Sequence, residues 1–420
     1  MLNFSSEAYA TLRIKEFLFF QITRFVGTIA IQMNNIIMGW QLYLLTKDPL
    51  VLGMIGIAEA IPAISLSLYG GYLADKKNRK TISILSYCCI IAMYTGIWVL
   101  SWYMYDLPKN TVTYTMYTFI FISGIARGFL NPSIIALRTQ IVPRHLYANA
   151  AAWSSTVWQI ASIVGPIVGG IALANIGIKD SYLIVIILMI VAVSCLSLIK
   201  TKPFEPSSSS LSIRDNLKEG LRFVLKNQIF ISAISLDMFA VLFGGAVAML
   251  PAFADTVLMV GEKGLGILRA APAIGASVMA IFMAFYPPNH NSGKKLLYSV
   301  AGFGVSIVVF ALSKNFYLSV FMLFLSGAFD SVSVVIRSTI LQILTPTNLM
   351  GRVSAVNTMF IGSSNEIGAF ESGVAARLLG LVQSVVFGGS MTILIVIATA
   401  FYAPNLRKLQ IKDLQTSPNE

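Results

Sequence analysis

One stretch of this chain occurs twice. Residues 121–177 fall without a gap on residues 324–380. Phe121 meets Phe324, Ser123 meets Ser326, Gly124 meets Gly327, Pro143 meets Pro346, Leu146 meets Leu349, Gly165 meets Gly368, Gly170 meets Gly373 and Gly177 meets Gly380. Both copies are long apolar spans with the same glycine and proline punctuation. A chain built this way is expected to fold as a duplicated helical bundle, one copy in each half.

Composition says what surrounds the bundle. A soluble domain carries about 25% charged residues; this chain carries 11%, with 56% hydrophobic residues. Twelve apolar stretches stand out, near 17–44, 50–73, 81–104, 112–141, 147–175, 181–199, 229–254, 264–286, 296–313, 316–344, 352–379 and 384–403. Each is long enough to cross the hydrocarbon, which takes about 20 residues. Open sheet edges are not tolerated in lipid, so the spans read as helices. The fold class expected is an all-α membrane protein of twelve transmembrane helices in two pseudo-symmetric six-helix bundles. The expected organisation is an N-terminal bundle over 1–200, a linker with an amphipathic helix over 201–228, a C-terminal bundle over 229–404 and a flexible tail over 405–420. The linker is rich in Pro and Ser, and the helix pattern of Ile213, Leu217, Leu221, Val224 and Leu225 suits a membrane surface.

The net charge of +12 follows topology, not nucleic acid. Basic residues concentrate in the tails and in alternate loops, including Arg13, Lys15, Lys76 to Lys80, Arg138, Arg144, Lys294, Lys295 and Arg352. The opposite loops hold only Lys47, Lys109, Lys179, Lys263 and Lys314. The positive-inside rule then puts both termini in the cytoplasm, and the excess charge attracts anionic lipid. Cys88, Cys89 and Cys195 lie within spans and form no metal-ligand pattern or disulfide framework. The first span is too long for a cleavable signal and is read as its own insertion signal.

The loop between spans two and three reads Gly71-Tyr-Leu-Ala-Asp75-Lys-Lys-Asn-Arg79-Lys80. Gly71 is expected to permit close helix approach, and Asp75 to cap a helix or pair with a cation. These residues match G-x-x-x-D-x-x-x-R-K, and here the chain resembles the major facilitator superfamily. The resemblance implies two six-helix bundles, with this loop stabilising the outward-open state. Span five contains Gly165-Pro166-Ile-Val-Gly169-Gly170 after Ala161. This looks like the G-P-x-x-G-G signature of proton-coupled exporters in that superfamily, with Pro166 loosening the helix and the glycines admitting a neighbour. The stretch Thr345-Pro346 to Gly351-Arg352-Val353 and its surroundings resemble the enterobactin-exporter branch, related to macrolide-efflux proteins. Superfamily exporters often place an Arg where this chain has Ile120; Arg127, two turns on, stands nearest to it.

Charges inside spans are expensive and mark function by default. They are Arg24, Glu59, Arg127, Asp237, Arg269, Asp330, Arg337, Glu366, Glu371 and Arg377. The repeat sets Arg127 on Asp330, and a looser alignment sets Arg24 on Asp237. Arg24 and Asn35 share a helix face, as do Asp330, Ser333 and Arg337. Two readings stand side by side. In one, Asp330 or Asp237 exchanges a proton while Arg127, Arg24 or Arg337 reads an anionic substrate, with Asn35 and Glu366 also in the site. In the other, these charges are fixed ion pairs tying helices together.

No P-loop is present, so ATP is not the energy source, and no grouping supports enzyme chemistry. No cofactor or metal is expected beyond a proton gradient. The reading is a secondary transporter of the bacterial cytoplasmic membrane, in which parallel repeats place the substrate site near mid-membrane. From the resemblance, it exports a siderophore or an amphipathic drug-like compound. Uptake of such a compound, lipid flipping, and a transporter-shaped receptor or scaffold remain alternatives. The partners expected are the small-molecule substrate and membrane lipids, with no nucleic acid, and the protein is expected to be a monomer.

Overall fold

The computed structural model describes residues 9–200, 213–346 and 349–412, with backbone alone at 68, 213–218 and 355. Among the described residues every regular element is helical. The first half holds α1 (Lys15–Thr46), α2 (Pro49–Lys76), α3 (Arg79–Trp102), α4 (Lys109–Ile141) and α5 (Tyr147–Ser197). The second holds α6 (Ile213–Lys226), α7 (Gln228–Phe243), α8 (Gly261–Phe285), α9 (Ser292–Leu312), α10 (Phe316–Leu344), α11 (Met350–Leu379), α12 (Leu381–Tyr402) and the short α13 (Pro404–Arg407). Eleven of the twelve expected spans are found in these helices, two of them in α5, and the twelfth, 229–254, begins in α7. Most of the expected linker, 201–212, lies outside the described residues.

Local chemistry sets the helix ends. Asn78, Asn227 and Asn315 each cap a helix start, accepting from Lys80 N at 3.0 Å, Phe230 N at 3.0 Å and Leu318 N at 3.1 Å. Lys80 Nζ donates to the Ser197 and Ile199 carbonyls at 2.7 and 2.5 Å, closing the end of α5. α5 runs through Pro166 and leaves helical angles only at Gly177, where φ is 77°. Gly380 has φ 99° and separates α11 from α12. The repeat pairs these two glycines, and both copies break at the same residue, in a region of φ that side chains with a Cβ disfavour.

The two compact units are residues 1–46 with 58–209, and residues 47–57 with 210–420. Each packs by the same plan. In the first, α1 lies along α5, and α3 packs on α4 and α5. In the second, α7 lies on α11, and α9 packs on α10 and α12. The crossing of α2 with α4 is allowed by Gly124, where a Cβ would strike the Glu59 carbonyl. Its repeat mate Gly327 does the same against the Pro272 carbonyl of α8. The first turns of α2 belong to the second unit, where Lys47 pairs with Asp255 at 2.7 Å and Asp48 with Arg377 at 3.5 Å.

Outward faces are apolar. On α5, Leu183, Ile187, Ile190 and Val191 are exposed along one stripe, as a lipid-facing helix requires. Nine helical segments among the described residues are long and apolar enough to cross a membrane. α1 and α11 are not among them. Their lengths suffice, but α1 carries Arg24, Gln32, Asn34 and Asn35, and α11 carries Asn357, Asn365, Glu366 and Glu371.

Two expectations need correction, and a third gains a packing partner. The span expected over 229–254 is not one helix. α7 ends at Phe243 and is followed by a 3-10 turn, Gly245–Met249, and a π turn, Phe253–Val257. Gly244-Gly245 and Pro251 weaken helix continuity here, and Gly245 sits against the Gly368 carbonyl of α11. The tail expected to be flexible from 405 is docked through residue 412. Leu406, Leu409 and Ile411 are buried in the core formed by Phe230, Leu296, Val353 and their neighbours. Gly293 N donates to the Leu409 carbonyl at 3.0 Å, and Ile411 N donates to Ser292 Oγ at 3.2 Å. Residues 413–420 lie outside the described residues. The helix α6, expected on a membrane surface, also packs on α11. Val224 is fully buried in the same core, Gly220 abuts the Arg352 carbonyl, and Glu219 pairs with Arg352.

Candidate functional site

The spans place their charges in two clusters, one inside each unit. In the second unit, Asp237 on α7 and Arg337 on α10 form an ion pair, Nη2 to Oδ1, at 2.6 Å. Their side chains are 7% and 8% exposed. Ser333, one turn before Arg337, accepts from its Nε at 3.2 Å. Asp330, one turn earlier again, lines the same small cleft as Asp237 and Ser333, with Ala240, Val241, Val300, Phe303 and Phe329. The free space there is that of roughly one water molecule. Asp330 makes no ion pair or hydrogen bond among the described residues, although it is within Coulombic reach of Arg337 and Asp237. The group thus holds two carboxylates against one guanidinium in a mostly apolar wall.

In the first unit, Arg127 on α4 pairs with Glu59 on α2. Arg127 Nη2 also donates to the Tyr94 hydroxyl of α3 at 3.0 Å. The crossing at Gly124 makes this pair possible, because it brings the backbone of Glu59 onto α4. Arg24 on α1 has no carboxylate within ion-pairing distance among the described residues, and Asn35, also on α1, is half-buried. Glu366 on α11 lies beside Gly56 and within Coulombic reach of Arg269. Arg269 Nη1 donates to the Val247 carbonyl at 2.9 Å, one of the groups freed by the broken stretch after α7.

Of the opposed charges expected from the repeat, Arg127 against Asp330 and Arg24 against Asp237, two are met inside their own unit. Arg127 is neutralised by Glu59, and Asp237 by Arg337. Tyr94 was not foreseen; a tyrosine in an apolar span gives no signal until a cation is seen beside it.

The loop and glycine motifs are structural in their contacts. Arg79 pairs with Asp75 at 3.6 Å and donates to the Ala74 and Ala136 carbonyls at 3.0 and 3.2 Å, tying the α2–α3 junction to α4. Gly71 faces open space and does not serve close approach as expected. Its neighbour Gly70 does, against the Gly128 carbonyl. Gly165 and Gly169 face Ile29, Gln32 and Met33 of α1, while Gly170 is buried. Gly351 has open space around it, and its neighbour Arg352 holds α6.

Membrane-spanning helices in two units built to one plan, with a charge cluster inside each, are the architecture of a membrane transporter. The profile of the transmembrane secretion effector family matches residues 6–419, and the chain belongs to that family of the major facilitator superfamily. Enterobactin exporters of Shigella boydii serotype 4 and Escherichia coli O81 are each 23% identical over 403 residues, covering 94% of this chain and 93% of theirs. Among solved structures, the nucleoside transporter NupG in mutant form superposes with a TM-score of 0.75 at 13% identity, over 92% of this chain and 99% of that one. A bacterial homologue of the iron transporter ferroportin gives 0.72 at 12% identity, over 95% and 99%. These relatives and neighbours are transporters and not enzymes. The protein is a multi-pass membrane transporter of a small molecule.

Proposed function

We propose that the chain is a proton-coupled exporter of a siderophore or an amphipathic drug-like compound across the bacterial cytoplasmic membrane. Asp330 with Asp237 takes and releases the proton. The observation that carries this reading is the pair of carboxylates, Asp237 and Asp330, in one cleft, with Arg337 paired to Asp237. With both carboxylates ionised it holds one negative charge that no cation offsets; with one proton bound it is neutral. A buried group whose charge changes with one proton can favour different helix arrangements in its two states. The relatives named enterobactin exporters support export and a catecholate siderophore as cargo. The basic residues of alternate loops support cytoplasmic termini, and no energy source other than the proton gradient is proposed.

The test is enterobactin uptake into everted membrane vesicles, with internal pH followed by a trapped dye. Wild type should accumulate enterobactin only with an imposed proton gradient, and should move protons when enterobactin is added. Asp330→Asn and Asp237→Asn should each abolish the proton flux while protein levels hold. Proton-driven accumulation persisting in the double variant overturns the coupling role. Accumulation in right-side-out vesicles alone overturns export.

A further inference from the structure

We infer that the docked C-terminal segment, with the end of α6 and the start of α9, forms a face of the second unit that binds the headgroups of anionic phospholipids. This face shares no residue with the cleft of Asp237 and Asp330, and it does not depend on which cargo is carried.

Three segments far apart in sequence are bonded together at one end of this unit. Asn405 Nδ2 donates to Gln228 Oε1 at 2.9 Å, joining α13 to the start of α7, directly after α6. Gly293 N donates to the Leu409 carbonyl at 3.0 Å, and Lys412 N to the Asn289 carbonyl at 3.3 Å. The backbones touch as well, since a Cβ on Gly293 would strike the Leu406 carbonyl and come within 3.0 Å of the Arg407 carbonyl. Each of these joints has cations beside it. Lys226 is two residues before Gln228, Arg407 is two after Asn405, Lys408 precedes Leu409, and Lys294 and Lys295 follow Gly293. With Lys412 they make six cations, all exposed. The segments that hold them, 225–228, 287–298 and 401–412, contain no Asp or Glu. Of the acidic residues close by in sequence, Glu219 is held by Arg352, and the side chains of Asp215 and Asp413 lie outside the described residues.

A basic loop by itself marks only topology. Here the buried anchors Leu406, Leu409 and Ile411 fix the cations of the tail against those of α9. Like charges gathered in this way repel one another, and a sheet of phosphates relieves that repulsion. The position suits such a sheet. α9 begins and α12 ends here, and both are long and apolar enough to cross a membrane, so the face lies at the edge of the hydrocarbon. Its border is amphipathic: Leu225, Tyr298 and Tyr402 are 58%, 72% and 86% exposed. Tyr298 shares a helix face with Lys294 and Lys295, at i+4 and i+3. Tyrosine rings settle at headgroup level, while the ammonium and guanidinium groups reach the phosphates. A dissolved phosphate ester has no use for the apolar border, and a second copy of the face would set like charge against like.

The experiment uses the full-length protein in nanodiscs of phosphatidylcholine, with and without phosphatidylglycerol, and follows backbone hydrogen exchange by mass spectrometry. In wild type, phosphatidylglycerol should slow exchange over 289–293 and 403–412 by at least about threefold. A triple variant, Arg407→Gln with Lys408→Gln and Lys412→Gln, should lose that slowing. So should Lys294→Gln with Lys295→Gln, which leaves the tail itself untouched; its exchange over 403–412 in pure phosphatidylcholine should match wild type, which separates loss of lipid from loss of docking. Removing three exposed cations from the first unit, Arg13→Gln with Lys15→Gln and Lys77→Gln, should leave the response in place. Glycerol 3-phosphate at millimolar concentration, added to phosphatidylcholine nanodiscs, should not reproduce it. The face is overturned if phosphatidylglycerol fails to slow exchange in wild type, or if the Lys294 and Lys295 variant responds as wild type does. Equal slowing by glycerol 3-phosphate assigns the cations to a dissolved anion and overturns the lipid as occupant.

Discussion

Removing Arg337 should destabilise the second unit far more than removing either carboxylate beside it. The reason is a count of charges. Asp237 and Asp330 line one cleft, Arg337 pairs with Asp237, and the three together carry one net negative charge. Arg337→Ala leaves two carboxylates facing each other with no cation, and breaking a buried pair from one side costs about 3–5 kcal/mol. For a unit of this size each kcal/mol is about 2–4 °C, so Tm should fall by roughly 6–20 °C. Asp237→Asn leaves Arg337 with Asp330 as its counter-charge, and Asn still accepts a hydrogen bond; the loss should be about 1–2 kcal/mol. Asp330→Asn makes the group neutral and should leave Tm within roughly 2 °C. Repeating Arg337→Ala in the Asp330→Asn background should cost less, because one lone carboxylate is left instead of two. Since every tryptophan lies in the first unit, the melt is followed by scanning calorimetry. If Asp330→Asn destabilises as much as Arg337→Ala, the charge count is wrong and Asp330 is a structural tie.

Two further outcomes follow from packing. Gly177→Ala and Gly380→Ala, at φ 77° and 99°, should each cost about 1–2 kcal/mol, read as a lower Tm, whereas Gly71→Ala and Gly351→Ala, which face open space, should be close to neutral. Leu406→Ala and Ile411→Ala, both 1% exposed, should each cost about 2–5 kcal/mol and make the end of α12 more sensitive to added protease.

The helices were legible in the sequence because the bilayer imposes one requirement, apolar length, on every span. The stretch read as 316–344 is the helix Phe316–Leu344. The duplicated glycines were legible because Gly124 and Gly327 face neighbouring backbone, and Gly177 and Gly380 hold a φ open to few other residues. Where reading stopped, the missing information was which helices touch. Glu59 and Arg127 are both visible as charges in apolar runs, yet only the crossing of α2 over α4 makes them partners. Gly70 and Gly71 are equivalent in sequence, and the direction in which α2 presents each decides which one packs. The docked segment was hidden by composition. Leu406, Leu409 and Ile411 sit among Arg407, Lys408 and Lys412, and the polar average concealed three anchors.

That segment has a consequence for biosynthesis. Residues 404–412 leave the ribosome after all twelve long helices, yet they fill the core on which α6, α9 and α11 meet. The second bundle therefore cannot finish assembling while its helices are being inserted. It waits, one end unsealed and open to membrane proteases, until the final few side chains arrive. A stop codon just past Tyr402 should then be as damaging as one inside a helix.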